Sequence, residues 1–244
     1  MATIVTAFMT NINVNKSRSY EKYMVYGKKL LAQPIPTVCF LEKQIYDDYF
    51  ADSTDLFPYT QFHMFERHDN YLMQYENQMM DSFEIYSDNP DKDTPAYMFT
   101  QCHKTEWVKM AIEMNSFQTT NFVWIDFGIF HMIQDDLEFA LYLEQLVRKK
   151  YDAVRIASCM DLKSECKTDI YRHISWYFAG SIFGGSGVRL MEFADTMKSY
   201  CLDIIETQNH LMWEINIWYL IYKQDPTFFS AYHSNHDVSI LKNY

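Results

Sequence analysis

One stretch constrains this chain more than any other: Asn121 to His131, which reads Asn-Phe-Val-Trp-Ile-Asp-Phe-Gly-Ile-Phe-His. Four large apolar residues, Phe122 to Ile125, run straight into Asp126. A short run rich in β-branched and aromatic residues is the pattern of a buried strand. In open α/β sheets, ligands sit outside the carboxyl ends of the strands. Asp126, with Gly128 just beyond it, therefore stands where a ligand-binding carboxylate would stand. An Asp in this place also caps a following turn, and these residues by themselves leave both readings open.

The chain before this strand supplies a sheet for it to join. Thr3 to Phe8 is a β-branched run, read as the first strand. Ser17 to Ala32 carries Tyr20, Tyr23, Met24, Leu30 and Leu31 at helical spacing, and Pro34 and Pro36 end that helix. Thr37 to Leu41 reads as a second strand, so strand, helix and strand form a parallel βαβ unit. Thr60 to Glu66 reads as a strand and 69–80 as a helix. Asp88 to Pro95 is a loop with an Asn89-Pro90 turn signal. Ala96 to Asn115 reads as one helix, with Met98, Trp107, Val108, Ala111 and Ile112 on one face.

After Asp126, residues 134–148 read as a helix, acidic at its start and basic at its end, as the helix dipole favours. Ala153 to Ser158 is a strand and 160–170 an exposed excursion. Trp176 to Gly185 starts strand-like and becomes glycine-rich. Val188 to Asn209 and Leu211 to Lys223 are helical, and Thr227 to Tyr232 is a last short strand. No internal repeat, low-complexity segment or linker interrupts the pattern. A single α/β domain over 1–244 is expected.

Bulk properties exclude several classes. The net charge of −11 argues against a nucleic-acid surface, which needs a basic footprint. It also means that a phosphate-bearing ligand must be held by local cations, helix N-termini or a metal. No apolar run reaches the length of a membrane span, and the N-terminus lacks the basic start of a signal peptide. The 5 cysteines include no C-x-x-C pair, which fits a reducing compartment. A cytoplasmic location, or the host cytoplasm for a viral protein, follows as the expectation.

The glycines are scarce and grouped. There are 6 in all, and Gly180, Gly184, Gly185 and Gly187 fall in one segment. Glycine permits close approach of backbone to a ligand. The segment is not a Walker loop, which needs Lys before Ser, nor G-x-G-x-x-G, nor a G-x-S-x-G nucleophile elbow. Asp126-Phe127-Gly128 spells the kinase metal triplet, but the glycine-rich loop and the H-R-D loop that kinases require are missing. His210 and Glu214 share a helical face, yet no H-E-x-x-H accompanies them.

Taken together, the order of features is similar to that of glycosyltransferases of the GT-A type. A strand-end Asp comes first, then an aromatic strand into Phe183-Gly-Gly-Ser186, a helix with one Glu, and a late His. Closer still, the chain resembles the HtrL/YibB family of bacterial and viral proteins. The stretches that carry this are Thr3 to Phe8, Arg18 to Tyr23, Lys104, Phe122 to Gly128, Phe183 to Ser186, and Tyr232-His233.

This resemblance implies a GT-A-like, Rossmann-like fold with a mixed, mostly parallel central sheet flanked by helices, its nucleotide-binding half running to about residue 130 and its acceptor and donor-sugar half over about 131–244. It implies an enzyme that moves a sugar from a nucleotide-sugar donor to a glycan or lipid-linked saccharide acceptor. Thr6 and Ala7 would border the nucleotide. Arg18 and Lys104 would contact phosphate, or else be solvated surface cations. Gly128, Gly184, Gly185 and Ser186 would line the donor. Asp126 would hold Mn2+ or Mg2+, with His233 as a second ligand, although Gly128 replaces the second carboxylate of the D-x-D motif. Glu214 would be the general base or the acid at the anomeric carbon, paired with His210 or set in a cleft wall. The other reading is a non-catalytic nucleotide-sugar or glycan-binding module.

Overall fold

The structure, a computed structural model, describes residues 1–9, 19–80, 83–133 and 135–244. Seven strands form one sheet: β1 (Thr3–Phe8), β2 (Thr37–Leu41), β3 (Thr60–Met64), β4 (Asn121–Ile125), β5 (Val154–Ser158), β6 (Phe178–Ser186) and β7 (Phe229–His233). Their spatial order is β3-β2-β1-β4-β6-β5-β7. All neighbours run parallel except β6, which is antiparallel to both β4 and β5. The expected mixed, mostly parallel sheet is thus what forms. It draws strands from both sides of residue 130.

Helices cover both faces: α1 (Tyr20–Leu31), α2 (Lys43–Tyr49), α3 (Glu76–Met80), α4 (Pro95–Cys102), α5 (Lys104–Met114), α6 (Asp136–Arg148), α7 (Gly187–Gln208), α8 (Glu214–Gln224) and α9 (Ser239–Lys242). Strand β4 shows why two layers are needed. Phe122 and Trp124 pack into one core with α5, α7 and α8, while Val123 and Ile125 enter a second core with α6 and α9. Side chains alternate across a strand, so a continuous apolar run demands cover on both faces.

Two expectations are corrected in detail. The helix read as continuous over Ala96 to Asn115 is two helices, α4 and α5, joined at His103. The segment 69–80 is not one helix: a 3-10 turn ends at Asp69, a second spans Met73–Tyr75, and α3 follows. The glycine-rich end of the Trp176 to Gly185 segment stays within the sheet: Gly184 and Gly185 lie inside β6 and pair with Val123 and Phe122 of β4. Glycine has low strand propensity, and packing overrides that propensity here. A Cβ on Gly184 would lie 2.7 Å from the Phe122 carbonyl oxygen, and one on Gly185 2.8 Å from that of Ala153.

His103 sits at the α4–α5 joint and is 3 % exposed. Its ring is boxed in by Phe65, Tyr71 and Trp107. Neither ring nitrogen has a hydrogen-bond partner among the described residues. Burial, with the Lys198 charge adding to it, pushes its pKa down to about 3. The folded chain therefore keeps this imidazole neutral, whereas the unfolded chain protonates it near pH 6.5. The sign follows: stability is fully present above that pH and is lost as pH falls toward 3, at about 1.4 kcal/mol per pH unit for one proton. His103→Phe should keep the aromatic packing and flatten this acid limb. Denaturant titrations at pH 7, 6, 5 and 4 check it, and identical pH slopes in variant and wild type would refute the assignment.

Candidate functional site

A cleft of about 250 Å³ opens at the carboxyl ends of β1 and β4. Between these strands the chain order reverses: β1 is followed on one side by β2 and on the other by β4. Such a topological switch point is where open α/β sheets leave a crevice for ligand. Ala7, Phe8 and Met9 from the end of β1 line it, as do Asp126 and Gly128 after β4. Gly180 at the start of β6 and Glu214 at the start of α8 complete its floor.

Asp126 is held in place from two directions. Its backbone N–H donates to the Ser181 carbonyl at 2.9 Å, extending the β4–β6 ladder by one residue. Its Oδ1 accepts from the Trp124 indole N–H at 2.7 Å. The same Oδ1 lies 3.0 Å from the Lys104 ammonium. Oδ2 has no partner among the described residues, and the side chain is 32 % exposed.

Lys104 is the first residue of α5, and its side chain is only 5 % exposed. The helix is docked by Trp107, one turn on, which stacks on Trp124 with ring planes 8° apart. Positions three apart share a helix face, so this stacking also aims Lys104 at the end of β4. Its Nζ contacts Asp126 Oδ1, Glu214 Oε1 and the Gly180 carbonyl, each at 3.0 Å. An ammonium has three N–H donors, and three acceptors meet it. Burial pulls its pKa down, but Asp126 and then Glu214 outweigh that, so the pKa is raised and the group stays charged.

Glu214 opens α8, where the helix dipole favours an acid. Its side chain is 7 % exposed. A Cβ at position 180 would overlap Glu214 Oε1, so only glycine lets the carboxylate reach Lys104 at this point of β6. The nearby Tyr97 phenol is raised well above its ordinary value, by burial first and then by the charges of Glu214 and Asp126.

The structure brings together Ala7, Lys104, Asp126, Gly128 and Glu214 from the sequence reading. Other expected members lie elsewhere. Thr6 is fully buried within β1 and does not line the cleft. Gly184, Gly185 and Ser186 occupy the far end of β6, because that strand runs antiparallel to β4. Gly185 pairs with Phe122, four residues before Asp126 and roughly 13 Å away along the strand. Ser186 caps α7 instead, its hydroxyl accepting from the Arg189 N–H at 3.4 Å.

His233 ends β7, is exposed, and does not reach the cleft; His236 does. His210 does not pair with Glu214, since α8 begins only at Glu214 and the imidazole faces the carbonyls of Gln208 and Tyr171. Lys104 has its three donors engaged within the protein, so it is an organiser of carboxylates rather than the expected phosphate contact. Arg18 lies outside the described residues. Sequence reasoning missed Gly180, Tyr97, Trp176 and His236; the isolated position of Gly180 ahead of the Gly184-Gly185 pair was the available signal.

The divalent ion expected on Asp126 and His233 does not fit these residues. One Asp126 oxygen is taken by an ammonium and an indole N–H, and His233 is absent from the cleft lining. Among the described residues, no group of three or more His, Cys, Asp or Glu side chains is placed to hold a metal.

Comparison with known proteins gives the lineage. A family model described as "Bacterial protein of unknown function (HtrL_YibB)" matches residues 1–238. The chain belongs to the HtrL/YibB family. No curated protein matches it. Among solved structures, this HtrL/YibB chain is similar to mouse xyloside xylosyltransferase 1 in its apo form. The identity is 8 %, the TM-score 0.48, and the match covers 95 % of this chain and 84 % of that one. It is also similar to HddC from Yersinia pseudotuberculosis, at 12 % identity and a TM-score of 0.41, over 98 % and 95 % of the two chains.

Lys104 offers a direct test of this arrangement. Lys104→Met removes a buried cation and leaves two carboxylates facing one another without it. Breaking a buried ion pair by deleting one partner costs about 3–5 kcal/mol. Urea denaturation at pH 7 should show a loss of that size, and adding Glu214→Gln should recover part of it. A Lys104→Met variant as stable as wild type would mean that the triad contributes nothing to the fold.

Proposed function

We propose that this protein is a glycosyltransferase that moves a sugar from a nucleotide-sugar donor to a glycan or lipid-linked acceptor in the cleft at the ends of β1 and β4. One observation carries the reading. At the switch point of a mostly parallel sheet, two carboxylates from distant parts of the chain converge on one buried ammonium, and both border the same cleft. The GT-A resemblance of the sequence supports the choice of sugar transfer among the reactions that use paired acids.

In this reading the donor lies across β1 and β4, with Ala7 and Gly128 allowing close approach. Asp126 presents Oδ2 to a donor hydroxyl. Glu214 takes the proton of the acceptor hydroxyl as general base, or faces the anomeric carbon if configuration is retained. Lys104 fixes both carboxylates. Lys92, on the cleft wall with its ammonium 4.5 Å from the centre of the Tyr97 ring, adds positive charge on the side open to a departing diphosphate. Gly180, not Gly184 or Gly185, provides the open backbone beside the acid.

A thermal-shift screen of UDP-, GDP- and dTDP-sugars, with and without manganese, identifies the donor. Asp126→Ala should abolish its binding while the protein still folds. Glu214→Gln should bind the donor normally and lose roughly two to four orders of magnitude in transfer rate. Near-normal turnover in Glu214→Gln would remove it from catalysis. Donor binding without any transfer in the wild type, across a glycan acceptor panel, would favour the non-catalytic binding module, for which the saturated Lys104 is the supporting observation. Nucleotide-sugar affinity unchanged in Asp126→Ala would overturn the cleft assignment itself.

A further inference from the structure

The chain has 5 tryptophans, and four of them, Trp107, Trp124, Trp213 and Trp218, are at most 3 % exposed. The fifth, Trp176, is 45 % exposed. Single exposed apolar residues are ordinary on a protein surface; what sets Trp176 apart is that it borders the cleft. Trp176 is also rigidly presented. Its neighbour Ser175 donates its backbone N–H to Asn216 Oδ1 at 2.8 Å. The fully buried Asn216 donates its amide to the carbonyls of Ile170 and His173, both at 2.7 Å. On the other side Tyr177 stacks on Tyr219 at 3.7 Å, and the Tyr219 hydroxyl donates to the Ser164 carbonyl at 2.8 Å. An indole held on both flanks by buried groups, yet itself open to solvent, is a preorganised contact surface.

Its position says what it faces. Trp176 and His236 line the reaction cleft and also an adjoining hollow of about 330 Å³, whose other walls are Cys159 and Met160. The imidazole stands nearly perpendicular to the indole, with ring centres 4.6 Å apart. Among the described residues, no Lys or Arg lines the hollow, so an acidic ligand would find no counter-charge there. The patch borders a polar cleft rather than a long apolar groove, so a lipid tail could bury only a short length. A ring with one C–H face and a rim of hydroxyls matches both parts of this surface.

We propose that Trp176 and His236 form an acceptor subsite for a neutral pyranose, stacked by its C–H face on the indole with its reacting hydroxyl directed toward Asp126 and Glu214. This rests on the transfer reading above and adds the class and seat of the acceptor. On that reading the donor lies across β1 and β4, where Ala7 and Tyr23 also line the cleft, and Trp176 acts on the acceptor alone.

Trp176 reports its own occupancy, because acrylamide quenches exposed indoles and leaves buried ones. The probes are methyl glycosides of glucose, galactose, mannose and N-acetylglucosamine, with sialyllactose as the acidic comparison. At least one neutral glycoside should shield Trp176 saturably. Trp176→Ala should lower its affinity by calorimetry roughly tenfold, with Trp176→Phe in between. Both variants should keep the wild-type melting temperature and the nucleotide-sugar thermal shift. The proposal is overturned if no neutral glycoside shields Trp176, if only sialyllactose does, or if Trp176→Ala loses nucleotide binding, which would make the indole a base-stacking residue. Shielding by a neutral glycoside without any nucleotide-sugar shift in wild type would instead sink the donor reading and leave a saccharide-binding platform.

Discussion

The cleft end of this molecule depends on one buried ammonium. Lys104 is in the wrong place by every local rule. A cation at the first residue of a helix opposes the helix dipole, and a lysine almost fully out of water is costly unless paired. It persists because acceptors from three separate elements meet it: Asp126 after β4, the Gly180 carbonyl in β6 and Glu214 at the head of α8. None of these groups is local to Lys104 in sequence. The contact therefore ties α5, β4, β6 and α8 together at the edge of the sheet where the cleft opens. Conflicts between local preference and global structure concentrate at functional sites, and this is the sharpest such conflict in the described chain.

The reversed direction of β6 decides which residues share that edge. In a fully parallel sheet, the end of the strand beside β4 would stand next to Asp126. Because β6 is antiparallel, its beginning stands there instead. Ala179, Gly180 and Ser181 thus face the cleft, and Gly184 to Ser186 close the opposite end against β4, β5 and the buried Tyr244. The same glycine-rich segment serves two separate needs. Gly180 admits a carboxylate, and Gly184 and Gly185 admit neighbouring backbone.

What could be read from the sequence follows from this. The strands Thr3 to Phe8 and Thr37 to Leu41 were legible to the residue, since an apolar β-branched run between turn signals is a local property. Asp126 was legible as a strand end, and Lys104 and Glu214 as charged residues on helices with apolar faces. Their meeting was not legible, because periodicity places a residue on its own element and not against another. The strand direction of β6 was hidden for the same reason, and with it went the assignment of Gly184, Gly185 and Ser186. His233 stands outside the cleft lining and His236 within it, because β7 ends at His233 and the chain turns back toward the cleft only beyond it. The break at His103 left no sequence signal at all, as no Gly or Pro marks it.

The saturation of Lys104 has a chemical consequence for any reaction in this cleft. Its three N–H bonds are spent inside the protein, so it does not follow a substrate as a mobile cation would. What it gives is fixed charge. Asp126 Oδ1 and Glu214 Oε1 cannot swing without abandoning a buried ammonium. Asp126 is held further by the Trp124 indole, and Glu214 is confined by the wall at Gly180. Groups held in this way do not reorganise when charge moves nearby, which is the condition under which electrostatic stabilisation is most effective. Recognition must then fall to atoms with capacity left over, and Asp126 Oδ2 and the exposed face of Trp176 are two that the cleft offers. One accepts a hydroxyl and the other receives an apolar face, so the cleft is built from a rigid charged floor and an aromatic rim.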